Sequence, residues 1–356
     1  MVWGMTMDAN SLTLVTGGGG FLGGRIVEAV LGRGGRVRIF GRSRYSRWEG
    51  RPGVECQVGD LCDLAAVRIA CRGCGLVVHT AAKAGVWGSR REFFETNLDG
   101  TRHVVEGCVQ EDVPRLVFTS SPSVVFGNRP IEGGDESLPY PKRYLAAYPE
   151  SKAAAERLVL AADGRLLGHG RSHLRTCALR PHLIWGVGDP HLLPRIAAAA
   201  KAGRLRQVGN GRNLVDLTHV EHAAQAHLLA ALALAREDSP VAGHAYFLGD
   251  REPVSLWPWL RGLLGRLGLR IPARAVPYRV AHLTGGALEL LYRCVPGLGE
   301  PRMTRFVAAQ LAMSHWFSHA AAERDFGYRP VRDPAADLEA AADWLRASLE
   351  RPEAGA

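Results

Sequence analysis

The sequence predicts an α/β protein, a doubly wound parallel sheet with a smaller, discontinuous portion drawn from its C-terminal half. Two observations predict it. Short apolar runs of buried type, Leu12 to Val15, Val37 to Phe40, Leu76 to His79 and Leu116 to Thr119, recur through the first half with longer helix-period stretches between them. Parallel neighbours need crossovers of about a dozen residues or more, which those stretches supply. After Leu179-Arg180-Pro181 the pattern gives way to Gly- and Pro-punctuated segments, and from about residue 246 the chain is richer in Trp, Arg and Pro.

The chain has 356 residues, 47% of them hydrophobic, enough to bury a large core and to exclude disorder. Its net charge of +9 comes from Lys and Arg interspersed with Asp and Glu. That scatter gives no nucleic-acid footprint, and it suits an anionic cofactor and an acidic substrate. Seven cysteines, an odd number in a long chain, argue for reduced thiols and a cytoplasmic setting. Cys71 and Cys74 have C-x-x-C spacing but no second pair or His-x-His partner at zinc-finger distance, so no metal is expected there. No run reaches 18 apolar residues, which excludes a conventional membrane span and leaves peripheral membrane contact open.

The opening residues have no secretory-signal pattern and read as a flexible leader, 1–10. The strand from Leu12 then meets Thr16 and four glycines, and apolar residues return at helical spacing from Phe21 to Leu31. Gly17, Gly20 and Gly23 stand three apart between that strand and helix. The first glycine permits a sharp turn, the second lets a pyrophosphate approach the backbone, and the third lets helix and sheet pack closely. The N–H groups at the helix start, from Phe21 and Leu22 onward, then face the phosphates, so the loop is expected to bind a dinucleotide.

At the end of the second strand an NAD enzyme usually carries an acid for the ribose hydroxyls; this chain has Phe40-Gly41-Arg42-Ser43-Arg44. A guanidinium suits a 2′-phosphate, so Arg42 points to NADP(H) with NAD the less favoured cofactor. Asp60 and Leu61, after the third strand, are placed to border the adenine, although Asp60 could equally cap the next helix.

The fifth strand ends in Thr119-Ser120-Ser121. Downstream, Tyr148-Pro149-Glu150-Ser151-Lys152 sets a phenol and an ammonium four residues apart on one helix face. Ketone reduction needs a proton donor at the carbonyl oxygen, and a neighbouring cation adapts a phenol of ordinary pKa near 10 to that task. Tyr148 and Lys152 are therefore the expected catalytic pair, both also touching the cofactor. A hydroxyl from Ser121 or Ser120 would fix the substrate oxygen; the expectation falls on Ser121, with Ser120 on the cofactor.

These segments resemble the extended short-chain dehydrogenases/reductases, Rossmann-fold enzymes, and within them the 3β-hydroxysteroid dehydrogenase-like branch. The resemblance spans nearly the whole chain: T-G-x-x-G-F-L-G at Thr16 to Gly23, H-T-A-A at His79 to Ala82, Asn97 before Gly100-Thr101, T-S-S, Y-x-x-x-K, and L-R-P-x-x-I-W-G at Leu179 to Gly186. It implies cofactor contacts from Ala81 and Lys83 and from the backbone around Pro181 and Leu183, with Asn97 supporting the active centre. Rarer signatures are similar to those of bacterial reductases of 2-alkyl-3-oxoalkanoates in olefin biosynthesis: Lys83 to Ser89, Arg180 to Gly186, Thr304-Arg305-Phe306, His315-Trp316 and Asp325 to Tyr328.

The implied substrate is a lipid-like β-keto or β-hydroxy acid, either a 2-alkyl-3-oxo fatty acid or a 3β-hydroxysterol with a 4α-carboxylate. Arg42 favours the reductive, fatty-acid reading. Arg180 or Arg195 could balance the substrate carboxylate. Alternatives are a nucleotide-sugar epimerase or dehydratase and a non-catalytic dinucleotide sensor, since fold does not fix function. A homo-oligomer is expected. The domain division is 11–186 for the dinucleotide-binding domain with 216–245 packing back on it, 187–215 and 246–350 for the substrate-binding portion, and a tail, 351–356. The Trp- and Arg-rich stretch Trp257 to Tyr292 could lie on a membrane interface, line a channel or simply pack the substrate domain. His219, Glu221, His222 and His227 read as core or surface residues.

Overall fold

A computed structural model describes residues 11–272, 274–295 and 297–350; the expected leader, 1–10, and tail, 351–356, lie outside the described residues. The strands run β1 (Leu12–Thr16), β2 (Arg36–Gly41), β3 (Val54–Val58), β4 (Cys74–His79), β5 (Arg115–Thr119), β6 (Ile131–Gly134), β7 (Arg175–Pro181), β8 (Ile184–Trp185), β9 (Leu214–Val215), β10 (Thr218–His219), β11 (His244–Leu248), β12 (Val254–Ser255) and β13 (His315–Phe317). The helices of the first half are α1 (Phe21–Leu31), α2 (Leu64–Cys71), α3 (Arg90–Phe94), α4 (Gly100–Gln110) and α5 (Ala147–Ala161). Those of the second are α6 (Leu192–Lys201), α7 (Val220–Leu234), α8 (Leu256–Arg266), α9 (Tyr278–Cys294), α10 (Arg305–Ala312), α11 (Ala320–Phe326) and α12 (Pro334–Glu350).

Seven strands form one sheet in the order β3-β2-β1-β4-β5-β7-β11, every pairing parallel. Both faces are covered, which is why every residue of β1, Thr13 and Thr16 included, is buried instead of every second one. Ile26 and Val27 of α1 pack with Ala223 and Leu228 of α7 on one face; Val67, Val104 and Val159, from α2, α4 and α5, pack on the other. The winding reverses between β1 and β4. The crevice outside their carboxyl ends is the place where such sheets bind ligands.

A third core, built around Trp185, Leu193, Trp257, Leu260 and Leu345, belongs to the C-terminal half. There a small sheet, β12-β9-β13-β6, whose β6 comes from inside the expected 11–186 unit and so departs from that division, and the pair β10-β8 sit beside α6, α8, α9, α10 and α12. The boundary at 245 needs correction. β11 runs to Leu248 as the seventh strand of the main sheet, and α11 returns to the first core through Ala322 and Phe326, the latter edge-on to Tyr246 at 5.1 Å.

Candidate active site

A cleft of about 860 Å³ opens at the carboxyl ends of β1, β2, β4, β5 and β7. Every expected site residue lines it: Gly17, Gly20, Phe21, Leu22, Gly23, Arg42, Asp60, Leu61, Ala81, Lys83, Ser120, Ser121, Tyr148, Lys152, Pro181 and Leu183.

The glycines are placed as their spacing requires. Gly17 has φ +71°, a left-handed conformation that glycine adopts without penalty. A Cβ on Gly20 would meet only the Gly17 carbonyl, at 3.2 Å, whereas one on Gly23 would lie 2.2 Å from that same oxygen. No side chain caps α1. Its first amides therefore remain as donors at the floor of the cleft, which fits the pyrophosphate of a dinucleotide. Arg42 is exposed at the end of β2 and makes no ion pair among the described residues. Asp60 accepts the Cys62 N–H at 2.9 Å, so its carboxylate shapes the turn before α2 while it borders the cleft; Asp63, not Asp60, caps α2. One participant escaped the sequence reading: the Tyr45 ring lies on the glycine loop so closely that a Cβ at Gly19 would sit 2.0 Å from it.

Tyr148 and Lys152 share one face of α5, where Pro149 sits in the first turn and its missing N–H costs nothing. The Tyr148 ring stands edge-on to Phe93, centroids 6.3 Å apart. Burial raises its phenol pKa and the Ser121 hydroxyl opposes that rise. Ser121 Oγ also accepts the Ser123 N–H at 3.2 Å. Ser120 Oγ is buried with no partner. Lys152 Nζ donates to the Thr119 carbonyl at 2.6 Å and lies 4.0 Å from the Phe118 ring centroid. Burial lowers its pKa to about 7, against the pull of Glu156 one turn on.

A polar scaffold holds these groups. Asn97, in a π-helical turn over Glu95–Asp99, accepts the Lys83 N–H at 2.7 Å and donates to the Lys83 carbonyl at 3.0 Å and to Ser151 Oγ at 2.9 Å. It ties the loop after β4 to α5, the support the resemblance implied; such turns often mark functional sites. Behind it, Thr101 Oγ donates to the Asn97 carbonyl, which leaves its oxygen to accept from His79 Nε2; His79 Nδ1 then accepts from Thr16. Burial, with Lys152 nearby, lowers the His79 pKa to about 3, so the chain is neutral. His227 on α7, invisible as a site residue in the sequence, donates from Nδ1 to the Ala223 carbonyl at 2.7 Å and so accepts from Thr119 Oγ, also 2.7 Å away. It braces the residue whose carbonyl holds Lys152.

The arginines do not serve as expected. Arg180 is held in a forked pair with Glu156 at 2.9 and 2.7 Å, supported by Tyr140, and Arg195 pairs with Glu300 at the surface. Neither lines the cleft. The far end is instead walled by Phe126, Phe306 and Phe317, with Gln310, His182 and His315 beside them. Of the stretch Trp257 to Tyr292, Trp257, Leu260, Leu263 and Leu264 fill the third core, α9 leaves Leu283 and Leu290 exposed, and none of its described residues lines this cleft.

Residues 14–278 match the 3-beta hydroxysteroid dehydrogenase/isomerase family. The chain is 42% identical over 339 residues to a 2-alkyl-3-oxoalkanoate reductase of Shewanella oneidensis, covering 95% of this chain and 86% of that one. It is 35% identical over 320 residues to a sterol-4-alpha-carboxylate 3-dehydrogenase, decarboxylating, of Mus musculus, covering 89% and 86%. Among solved structures, MoeE5 in complex with UDP-glucose and NAD superposes with a TM-score of 0.70 at 26% identity, covering 95% of this chain and 99% of that one.

Proposed function

The chain belongs to the 3-beta hydroxysteroid dehydrogenase/isomerase family and is an NAD(P)-dependent oxidoreductase, and from that premise we propose that it reduces the 3-keto group of a 2-alkyl-3-oxo fatty acid with NADPH. The observation that carries the reading is the meeting of Ser121, Tyr148 and Lys152 with a glycine-loop cleft whose far wall is aromatic and apolar. When bound, the nicotinamide supplies the hydride. Ser121 orients the carbonyl oxygen, Tyr148 delivers its phenolic proton there, and the Lys152 ammonium stabilises the phenolate left behind. Phe126, Phe306 and Phe317 shelter the alkyl branches from water.

The test is nicotinamide absorbance at 340 nm with NADPH or NADH against a 2-alkyl-3-keto acid, and with NADP or NAD against a 3β-hydroxy-4α-carboxysterol. Rapid NADPH loss with the keto acid is the expected result. NAD reduction by the sterol acid would transfer the enzyme to sterol chemistry, the reading that the mouse relative supports. Silence in every combination would sink both.

The cofactor preference has its own prediction. Forked hydrogen bonds between a guanidinium and a phosphate contribute about 1.5–3 kcal/mol, or roughly 10–100-fold. Arg42→Ala should raise the KM for NADPH by that factor while leaving the KM for NADH within about twofold. Equal changes for both cofactors would show that Arg42 does not read the 2′-phosphate.

A further inference from the structure

The far end of the cleft contains two histidines whose hydrogen bonds fix each other's protons. His315 Nε2 lies 2.8 Å from the Gln310 carbonyl, which can only accept, so this nitrogen carries a hydrogen. In the neutral ring Nδ1 is then an acceptor. Its neighbour at 2.6 Å is His182 Nε2, which must therefore donate. The sequence of assignments ends at His182 Nδ1, a bare acceptor with no partner among the described residues, on a side chain only 6% exposed at the wall of the cleft. An added proton has this one atom to go to, because every other ring nitrogen of the pair is engaged.

The surroundings decide what such an atom would meet. Its walls are Phe126, edge-on to His315, and Phe317, tilted against His182. The cleft's lysines and arginine sit elsewhere: Lys152 on the Thr119 carbonyl, Lys83 paired with Glu92, and Arg42 at the end of β2. The titratable groups facing the pair from the second portion are His319, whose Nε2 is 3.3 Å from Asp216, and Asp216 itself; burial first, then His315 and His319, hold the His182 pKa well below the usual imidazole range, so the unliganded ring is neutral and a bound acid must bring its proton with it.

We propose that His182 Nδ1 is the docking point for the substrate's carboxyl group, which enters the site together with one proton. The proton either sits on the imidazole opposite a carboxylate or arrives on the carboxylic acid and is shared with Nδ1; both give the same net uptake of one proton from solvent. His182 is here a specificity-determining residue and His315 its positioning partner. The assignment rests on the reductase reading and names its acid-recognition element.

The experiment compares a 2-alkyl-3-hydroxy acid with its methyl ester, oxidised with NADP by the full-length enzyme from pH 7 to 9. For the acid, KM relative to that of the ester should rise about tenfold per pH unit from pH 7, because the unliganded imidazole is already neutral there and each bound acid takes up one proton. Titration of Lys152 affects both substrates and cancels in the ratio. His182→Gln keeps a group at the Nε2 position to donate to His315 and removes Nδ1. It should raise the acid's KM at pH 7 by roughly 10–100-fold relative to the ester's and abolish the pH slope of that ratio. His182→Asn, with an amide at the Nδ1 position, should recover part of the acid preference without the slope. Parallel slopes for acid and ester, or equal effects of the substitutions on both, would overturn the assignment while the reductase reading stands. Turnover of neither substrate by the unmodified enzyme would overturn both.

Discussion

Replacing Tyr148 by phenylalanine should lower turnover in ketone reduction by about 10²–10⁴-fold, the usual contribution of a positioned acid or base. The ring would still pack edge-on to Phe93, and Pro149 and Ser151 would still shape the first turn of α5, so fold and cofactor binding should persist. The lost atom is the phenolic oxygen, the proton donor. A stopped-flow trace at 340 nm and a fluorescence titration with NADPH separate the two effects. A loss of affinity matching the loss of rate would assign Tyr148 to binding instead of proton transfer.

The pH dependence adds a second constraint. Burial raises the Tyr148 pKa, so the phenol stays protonated and able to donate across the neutral range. Lys152 moves the opposite way: its folded pKa falls to about 7, so the ammonium that stabilises the phenolate is fully present below that value and is lost as pH rises through it. Since kcat/KM for NADPH reports groups of the free enzyme, it should decline above about pH 7 in the reductive direction.

Much of this site was legible because its chemistry is local in sequence. The glycine triplet between strand and helix, and Tyr148 with Lys152 one helical turn apart, declare their geometry within a few residues. Other parts depend on tertiary contacts between distant segments. His227 reaches Thr119 across 108 residues, and His182 meets His315 across 133; each is an isolated histidine until the sheet and the second portion close on one another. Arg180 misled for the same reason. Its place at the start of the second portion suggested a carboxylate partner, but alternation along β7 turns it away, and Glu156 on α5 had already matched its charge. Ser120 and Ser121 are equally hard to separate by sequence, because the turn after β5, where Pro122 opens a 3₁₀ turn capped by Ser121, decides where each hydroxyl lies.

Substituting Gly23 by alanine is expected to weaken NADPH binding at least about 100-fold, although a single methyl group is added far from the reacting carbon. The added Cβ would lie 2.2 Å from the Gly17 oxygen and 2.8 Å from its carbonyl carbon, and both are backbone atoms that no rotamer change can clear. Either α1 must lift from the sheet or the turn at Gly17 must open, and Gly17 is itself backed by Ala81, whose backbone is 3.0 Å from a Cβ built there. Overpacking of this kind costs about 1–3 kcal/mol of stability. Binding suffers more, because the uncapped amides of α1 act on the pyrophosphate together and a shift of the helix misaligns them as a set. Gly265→Ala in α8 is the control: a Cβ there meets nothing within 4 Å, and replacing a helical glycine should raise stability by up to about 1 kcal/mol. Calorimetric titration with NADPH alongside thermal unfolding distinguishes the outcomes. If Gly23→Ala bound the cofactor as tightly as the control, the close approach of α1 to the glycine turn would not be what holds the phosphates, and the donors would have to be sought elsewhere in the cleft.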